Sequence, residues 1–378
     1  MRILQVVSYY APAWAYGGPP RVMADFATGL VARGHEVTVL TTDVLDESSR
    51  ARPARETLDG VRVERFRNVS NALAWRNKKY IAPALVAATA RRIGEFDVVH
   101  ATDARTLATA TAYLAARAAS VPFVLSAHGS LPGSVGLRGA VKQAYDGVLV
   151  RPMLERAALL LAQTDHEARL YSEAGGRESN IRLLPLPFDL AAVPAALEPG
   201  FLRARAGVGA DAPLVLFLGR IHWLKGLDLL AEAVADEAEL VVVGRDDGAW
   251  ADIHARWPRT RFVGPLYGAE RFAAYADADV FAITPRHWEE TSVASLEAAA
   301  CGTAVLVTEQ AEIPGLAAAG GGLVVAADVG AIRDGLRRVL ARSREMGVDA
   351  RKLVERQHGR DAVVDRLEAL LLDAVAAS

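Results

Sequence analysis

The sequence contains one cysteine, Cys301, in 378 residues. A single thiol cannot form an intramolecular disulfide, and it cannot supply the thiolate cluster that structural zinc or iron–sulfur sites need. Long apolar runs are also missing, since none approaches the roughly 18 residues of a membrane span, and the apolar start of the chain is too short for a secretion signal. We therefore expect a cytoplasmic protein that does not cross a bilayer.

A charge excess of either sign is lacking too, because 43 Lys and Arg residues are balanced by 45 Asp and Glu residues. Such a chain has no overall field that would attract nucleic acid, so nucleic acid is not an expected partner and any basic site must be local. Apolar residues, in contrast, make up 52% of the chain. At this length, that composition predicts a folded protein of two domains.

Short β-branched runs alternate with longer amphipathic segments along the whole chain, which is typical of parallel strands joined by helices. The alternation predicts an α/β protein. It is interrupted by an Ala- and Pro-rich segment at 188–200, which we interpret as a linker. We therefore predict two tandem Rossmann-like, doubly wound parallel-sheet domains, at 1–187 and 201–360, with a ligand cleft between them.

The predicted strands are short apolar runs. In the first domain they are Ile3–Val7, Glu36–Thr41, Val61–Phe66, Asp97–His100, Phe123–Ala127, Leu159–Gln163 and Ile181–Leu186. In the second domain they are Leu214–Leu218, Leu240–Val243, Arg261–Val263, Val280–Thr284, Ala304–Thr308 and Leu323–Ala326. The first helix is predicted over Arg21–Ala32, and an amphipathic helix is predicted within 361–378.

Gly17 and Gly18 lie just before the first predicted helix. Free backbone N–H groups and the helix dipole make such a position suitable for an anion such as phosphate. A tight turn without any ligand is the alternative. The pattern is not G-x-G-x-x-G, which argues against a nicotinamide or flavin cofactor.

Arg220 and Lys225 lie in the loop after the first predicted strand of the second domain. A planar guanidinium and a compact ammonium together suit a pyrophosphate, although a solvated loop is the alternative. Glu289 and Glu297 follow a later strand, and carboxylates accept directed hydrogen bonds from sugar and ribose hydroxyls. Surface charge is the commoner role of such a pair, but Glu297 lies two turns into an Ala-rich helix that we expect to be buried.

Together, the two glycines, the Gly219-Arg220…Lys225-Gly226 loop, the Glu289-x7-Glu297 spacing and the following Ala-Cys-Gly-Thr-Ala-Val resemble the retaining glycosyltransferases of family 4. The resemblance spans essentially the whole chain. It implies the GT-B fold, with the 361–378 helix returning to the first domain. It also implies a hexosyltransferase that uses a UDP- or GDP-sugar donor and a glycan or lipid-linked glycan acceptor. The front-face mechanism of the family requires no metal or other cofactor.

The resemblance also implies roles for individual residues. Glu297 would bind the ribose hydroxyls, Glu289 would contact the donor sugar, and Arg220 and Lys225 would stabilise the departing diphosphate. Further donor contacts would come from Gly17, Gly18, Leu266, Thr291, Ser292 and Val293.

In the first domain the resemblance assigns His128, which follows a predicted strand, to the reacting part of the donor sugar. Without the resemblance, His128 would be interpreted as a core or capping histidine. His100, Asp103 and Tyr16 are candidates for the acceptor side. The aromatic residues near Tyr16 could stack on an acceptor sugar, or they could pack only on one another.

The chain departs from the family pattern at the domain junction and between the two glutamates. The domain junction reads Pro185-Leu186-Pro187-Phe188-Asp189 in place of Pro-Asn-Gly-Val-Asp, and Glu290-Thr291-Ser292 replaces the usual glycine or phenylalanine between the glutamates. Asp277-Ala278-Asp279 matches the D-x-D pattern of metal-dependent transferases. Because this motif falls where a helix leads into a strand, we expect no metal there.

Other functions remain open at this stage. The aromatic and basic segment Trp75–Tyr80 is interpreted as a solvated loop, with peripheral contact to the inner membrane surface or to an acceptor phosphate as the alternative. A hydrolase using Glu289 and Glu297 would give Arg220 and Lys225 no role. A nucleotide-sugar epimerase and a non-catalytic sugar-nucleotide binder are compatible with the same fold.

Overall fold

The computed structural model describes residues 1–131 and 142–378. The chain divides into two units, one formed by Met1–Pro187 with Arg360–Ser378 and the other by Phe188–Gly359. Each unit contains one predominantly parallel sheet with helices in its crossovers, so the prediction of an α/β protein is confirmed. The segment 188–200 belongs to the second unit and contains a short 3₁₀ helix at Leu190–Ala192.

The first unit has an eight-stranded sheet of order β3-β4-β2-β1-β5-β6-β7-β8. Its strands are β1 (Arg2–Val6), β2 (Glu36–Thr42), β3 (Arg55–Leu58), β4 (Val61–Phe66), β5 (Val98–Thr102), β6 (Phe123–Ser126), β7 (Leu159–Ala162) and β8 (Ile181–Leu183). All neighbours are parallel except β3, which runs antiparallel to β4. The main α-helices are Pro19–Ala32, Asn71–Asn77, Pro83–Arg92, Leu107–Ala119, Arg151–Arg156, Asp165–Glu173 and Arg360–Ala376.

The C-terminal helix Arg360–Ala376 packs on the helix Pro19–Ala32 of the same unit. It buries Val363, Val364, Leu367 and Leu371, and Val364 lies directly over Gly29. At the edge of this contact His35 lies 2.7 Å from Glu368. The last helix therefore belongs to the first unit through a packed apolar seam.

The second unit has a six-stranded parallel sheet of order β11-β10-β9-β12-β13-β14. Its strands are β9 (Leu214–Leu218), β10 (Glu239–Val243), β11 (Arg261–Gly264), β12 (Val280–Ile283), β13 (Ala304–Thr308) and β14 (Gly322–Val325). The α-helices are Phe201–Ala206, Leu227–Val234, Trp250–Arg256, Ala269–Asp277, Val293–Ala300, Val329–Leu340 and Ser343–Leu353. The central strands are buried on both faces, which explains their continuous apolar runs.

The structure corrects the sequence prediction in three details. Strand β3 was not predicted, because Arg-Glu-Thr-Leu has no apolar run and half of it is exposed at the sheet edge. The first helix begins at Pro19 and not at Arg21, since proline is compatible with a first helical turn. The strand β8 ends at Leu183, before the two prolines that follow it. In the described parts of the chain no helix is both long and apolar enough to cross a bilayer.

Candidate functional site

The site in the second unit lies where the strand order of its sheet reverses. Strand β9 pairs with β10 on one side and with β12 on the other, so the loops that leave the carboxyl ends of β9 and β12 diverge in opposite directions. In doubly wound sheets this reversal point is the usual ligand position. The loop after β9 carries Arg220 and Lys225, and the loop after β12 carries Glu289.

Lys225 and Glu289 connect these two loops directly. The Lys225 Nζ donates to Glu289 Oε2 at 2.5 Å, and both side chains are about one-fifth exposed. Arg286 reinforces the connection, because its backbone N–H donates to the carbonyl of Leu224 at 3.0 Å and its guanidinium binds Asp228 at 2.6 Å. The lysine and the carboxylate that the resemblance assigns to the same sugar donor therefore lie next to each other, at the carboxyl edge of the sheet.

Arg220 is held in a second charged cluster of the same edge. Its guanidinium lies 3.0 Å from Asp247, which also accepts from Arg245 at 2.8 Å. Burial opposes ionisation of Asp247, but the hydrogen bond and charge of Arg245, together with the charge of Arg220, lower the pKa of Asp247. Arg220 itself remains more than half exposed and can reach an incoming anion. Arg245 and Asp247 were not identified from the sequence.

Glu297 has the partners that its burial requires. It is 6% exposed, and its carboxylate accepts from the Arg271 guanidinium at 3.0–3.2 Å and from the Tyr275 hydroxyl at 3.1 Å. Burial and the neighbouring Glu297 charge raise the pKa of Tyr275 well above its usual value. Arg271 and Tyr275 were missed in the sequence, although their i, i+4 spacing on a helix before β12 was a usable signal.

The helix that carries Glu297 begins directly after the loop of Glu289. It spans Val293–Ala300, so Glu297 is its fifth residue and lies little more than one turn from its start, not two turns as predicted. The loop is fixed because Glu289 N–H donates to the Gln310 carbonyl at 2.8 Å and Thr291 Oγ1 donates to the Glu312 carbonyl at 3.3 Å. Ser292 is the residue before the helix, whose positive dipole end favours an anion.

Leu266 follows strand β11 at the same edge of the sheet and is 5% exposed. Gly264 and Pro265, which precede Leu266 in the same turn, are more exposed. The turn is anchored by a hydrogen bond from Gly244 N–H to the Gly264 carbonyl at 3.1 Å. Strand β11, which precedes Leu266, is separated from β9 by strand β10.

The D-x-D motif is part of the framework of the second unit. Asp277 accepts from the backbone N–H groups of Gly200 and Arg203 at 3.0 and 2.8 Å. Asp279 accepts from the Arg203 guanidinium at 2.9 Å and from Leu214 N–H at 2.8 Å. Both carboxylates hold the segment that leads into β9.

Gly226 permits the close approach of the two loops at the reversal point. Its φ is +63°, and a Cβ there would overlap the carbonyl oxygen of Thr284, whose hydroxyl donates to the Gly226 carbonyl at 2.9 Å. We expect Gly226→Ala to lower the free energy of unfolding by more than about 2 kcal/mol, because left-handed strain and a backbone clash add together. Urea unfolding followed by circular dichroism measures this loss.

Gly207 provides the matched control for that substitution. It has a similar φ of +66°, but a Cβ there would meet only the side chain of Arg261 at an ordinary 3.5 Å. Gly207→Ala should therefore cost only about 1–2 kcal/mol, from left-handed strain alone. Equal losses of unfolding free energy in the two variants would show that the close contact with the Thr284 carbonyl does not constrain position 226.

In the first unit, the strand order reverses around β1, which pairs with β2 and β5. His128 follows β6 in a left-handed conformation, with φ at +47°. Its Nδ1 lies 2.6 Å from the side-chain nitrogen of Gln163, and its Nε2 has no hydrogen-bond partner among the described residues. Burial lowers the pKa of His128 to about 4, so the ring is neutral near pH 7. With Gln163 donating to Nδ1, the ring proton is on Nε2.

Glu167 holds the turn that contains His128. It is fully buried, and its two carboxylate oxygens accept from Gly129 N–H and from Gln163 N–H, each at 2.9 Å. One carboxylate therefore fixes both the backbone next to His128 and the residue that contacts its ring. Neither Gln163 nor Glu167 was identified from the sequence, although Thr164 and Glu167 form the S/T-x-x-E pattern of a capping box.

The two other acceptor-side candidates are His100, which lies in β5, and Asp103, which follows it. His100 is fully buried, with Nε2 2.8 Å from Ser126 Oγ, and burial lowers its pKa to about 3. It offers no exposed surface to an acceptor, so we do not retain it as a contact residue. Asp103 follows the strand with φ at +62° and is hydrogen-bonded to the Tyr9 hydroxyl. Burial raises the pKa of Asp103 to about 6.

Tyr16 belongs to a packed aromatic cluster. Its ring stacks on Tyr9 at 4.9 Å, meets Trp75 edge-on at 5.2 Å and lies 6.0 Å from Tyr80. The segment Trp75–Tyr80 is therefore not the solvated loop that was predicted: it begins in the helix Asn71–Asn77 and packs its two aromatic side chains inward, while Lys79 is exposed. Gly17 and Gly18 follow Tyr16, and Gly18 caps the helix Pro19–Ala32. The structure therefore places both glycines in the same loop after β1 as Tyr9 and Tyr16 of the aromatic cluster.

Family models and curated relatives match most of the chain. Residues 17–187 match the family model of the glycosyl transferase 4-like domain, and residues 212–342 match that of the glycosyl transferases group 1. The chain is 32% identical to a D-inositol 3-phosphate glycosyltransferase of Kineococcus radiotolerans, covering 77% of this chain and 72% of that protein. It is also 32% identical to a protein of the same name from Xylanimonas cellulosilytica, covering 84% and 80%.

Solved structures show the same fold at low identity. Anabaena Alr3699/HepE, solved in complex with UDP, has a TM-score of 0.75 at 19% identity and covers 99% of this chain and 100% of its own. Sucrose-phosphate synthase of Thermosynechococcus elongatus has a TM-score of 0.77 at 21% identity, and covers 100% of both chains. With two parallel-sheet units and both domain models matched in order, the chain belongs to the family 4 glycosyltransferases, which have the GT-B fold.

Proposed function

We propose that this glycosyltransferase moves a sugar from a nucleoside diphosphate sugar, with UDP or GDP as the nucleotide, to a hydroxyl of its acceptor with retention of configuration. The observation that carries the proposal is the Lys225–Glu289 pair at the reversal point of the second sheet. It joins a cation suited to a diphosphate with a carboxylate suited to sugar hydroxyls. A glycan or a lipid-linked glycan is the general acceptor class, and D-inositol 3-phosphate, named for the curated relatives, is a specific acceptor to test.

Each group has a role in this reaction. Lys225 and Arg220 neutralise the charge that develops on the diphosphate as its bond to the sugar breaks. Glu297 accepts hydrogen bonds from the ribose hydroxyls, and the backbone at Thr291–Val293 faces the donor. His128 donates from Nε2 to the sugar, and Asp103 and Tyr16 lie on the acceptor side. The acceptor hydroxyl passes its proton to the departing diphosphate, so no protein nucleophile takes part.

We also propose that no metal takes part in donor binding. Arg220 and Lys225 supply the positive charge that a divalent cation would supply elsewhere. Asp277 and Asp279, the residues of the D-x-D motif, are committed to backbone N–H groups and to Arg203. A donor that binds only when Mg²⁺ or Mn²⁺ is present would contradict this part of the proposal.

The first test is the thermal stability of the protein in EDTA with UDP, GDP or ADP. A nucleotide present at about 100 times its Kd adds roughly 2.7 kcal/mol to the stability of the folded state. We expect a selective increase in Tm with one nucleotide. The absence of any increase, with or without divalent metal, would reject the nucleotide-sugar proposal.

The role of Glu297 can be tested by calorimetric titration of the same nucleotide. Glu297→Gln keeps the shape of the side chain but loses its charge, and we expect the affinity to fall by about 1.5–3 kcal/mol. Glu345→Gln is the matched control, since Glu345 is exposed and paired only with Arg342 among the described residues. An unchanged affinity in Glu297→Gln would show that the charge of Glu297 does not contribute to nucleotide binding.

Analysis of the reaction products distinguishes a transferase from an epimerase, a binding protein and a hydrolase. A transferase releases nucleoside diphosphate in proportion to a glycoside formed on the acceptor, with the anomeric configuration of the donor. An epimerase would change the donor without any acceptor, and a binding protein would leave the donor intact with every acceptor. A hydrolase would release free sugar without dependence on the nucleotide.

A further inference from the structure

A basic concavity of about 390 Å³ lies in the first unit, apart from the residues discussed so far. Four arginines line it, together with one carboxylate, that of Asp43; the arginines are Arg50, Arg52, Arg65 and Arg67. We call this concavity the arginine pocket. Four guanidinium groups in one small volume repel one another, so the pocket has a positive potential that an anion would relieve.

Two of the arginines are rigidly held. Arg65 is buried, and its guanidinium donates to the carbonyl of Ala11 at 2.7 Å and to that of Pro53 at 3.1 Å, and pairs with Glu56 at 2.6 Å. Arg50 binds Asp43 through both carboxylate oxygens at 2.7 and 2.9 Å. These contacts give the pocket a fixed wall and neutralise two of its four positive charges.

The other two arginines are available for a ligand. Arg52 and Arg67 are exposed, and neither forms an ion pair with any residue in 1–131 or 142–378. They stand on different segments, Arg52 before β3 and Arg67 after β4, yet line the same concavity. Two guanidinium groups from separate segments that line one concavity suit a phosphate, which accepts hydrogen bonds from several directions.

The pocket lies on the side of the sheet where ligands bind. Asp43 and Arg50 follow the carboxyl end of β2, and Arg67 follows the carboxyl end of β4. Strand β4 is two strands from β1, a distance of about 10 Å. The contact from Arg65 to Ala11 joins the pocket to the loop that carries Tyr16 and Gly17. A molecule bound on this loop can therefore place one end in the pocket.

We infer that the arginine pocket is an anion site that takes the phosphate group of a phosphorylated acceptor, with Arg52 and Arg67 as its ligating residues. This inference rests on the proposed function, because it assigns a substrate class to the acceptor side. The phosphate group can be carried by a small soluble acceptor or by a lipid headgroup.

The test uses the full chain in a Lys225→Ala background, which removes the cation proposed to bind the donor diphosphate. Inorganic pyrophosphate is titrated by calorimetry at low salt. We expect binding in Lys225→Ala, and an affinity at least about tenfold lower after Arg52→Ala and Arg67→Ala are added, because charged hydrogen bonds are lost. The matched control adds Arg91→Ala and Arg117→Ala, two exposed arginines outside the pocket, and should stay within about twofold of the background.

A second arm identifies the carrier of the phosphate. Co-sedimentation uses phosphatidylcholine vesicles with and without phosphatidic acid. Binding of pyrophosphate that depends on Arg52 and Arg67 supports a soluble acceptor. Binding only to phosphatidic acid vesicles, lost in Arg52→Ala/Arg67→Ala, supports a lipid-borne phosphate. No binding to either probe, or losses equal to those of the control, would overturn the inference.

The outcome is separable from that of the proposed function. Arg52 and Arg67 do not contribute to the nucleotide site of the second unit, so Arg52→Ala/Arg67→Ala should keep the Tm increase with nucleotide. If the wild-type protein fails to bind any nucleotide, the proposed function fails while the pyrophosphate titration still reports on the pocket. If nucleotide binds but neither phosphate probe does, only the arginine pocket is rejected.

Discussion

Arg271→Ala is expected to lower the free energy of unfolding of the protein by about 3 kcal/mol, because it leaves the carboxylate of Glu297 buried beside a single hydroxyl donor. The Arg271 side chain is 15% exposed and that of Glu297 is 8% exposed, so water can replace the lost guanidinium only in part. Tyr275 still donates to the carboxylate, which places the expected loss at the lower end of the range for broken buried pairs. Urea unfolding of both proteins measures the difference.

Two variants make this result specific. The double variant Arg271→Ala/Glu297→Ala removes both charges, so it should be more stable than Arg271→Ala alone. Arg259→Ala removes an arginine that is 70% exposed, at 3.5 Å from its nearer carboxylate, and should cost less than about 1 kcal/mol. If the double variant were the least stable of the three, the penalty could not arise from an unpaired Glu297.

The same substitution separates stability from nucleotide binding. A destabilised Arg271→Ala protein that remains folded at 25 °C should also bind nucleotide more weakly, since Glu297 is no longer held in place. Arg271→Lys restores the charge but not the planar fork, and should recover stability only partly. Arg271 is therefore assigned as a residue that positions Glu297.

Lys225→Ala is expected to lower kcat by at least about tenfold, and by up to about 10³-fold, while the protein stays folded. The ammonium acts on charge that develops as the diphosphate leaves, so its loss should affect kcat more than KM. Glu289 is about one-fifth exposed and therefore remains solvated after its partner is removed. The measurement is the steady-state release of nucleoside diphosphate from the donor identified by thermal shift.

Two control variants test whether the effect depends on the charge of Lys225 and on its position. Lys225→Arg retains a positive charge at the reversal point and should retain more activity than Lys225→Ala. Lys352→Ala removes a lysine that is 56% exposed and paired with Asp349, and should leave kcat unchanged. A Lys225→Ala enzyme with the turnover of wild type would show that this lysine does not stabilise the leaving group.

The bounds of a strand were predicted correctly where burial of its own side chains determines the strand. Leu214–Leu218, Val61–Phe66 and Ala304–Thr308 have the predicted bounds, because each is a short apolar or alternating run between polar turns. The strand Arg55–Leu58 escaped prediction because it is held by pairing with β4 at the sheet edge and not by burial of its own side chains. Pairing of this kind leaves no pattern within the strand itself.

The sequence predicted which residues belong to the candidate site, but it did not predict which residues contact them. Arg220, Lys225, Glu289 and Glu297 were identified because a motif places them after particular strands. Their partners Asp247, Arg271 and Tyr275 were not, since each lies 22 to 27 residues away from the residue that it contacts. Gln163 and Glu167 were missed for the same reason, at 35 and 38 residues from His128 and Gly129.

By itself, the sequence determined the fold class, the two sheets and the set of candidate residues for a sugar-nucleotide site, because periodicity and short motifs are local properties of a chain. Only the tertiary structure decided that Lys225 pairs with Glu289, that Arg271 holds Glu297 and that four arginines from two segments share one pocket. These contacts depend on strand order and loop direction, which bring together residues that no local pattern connects.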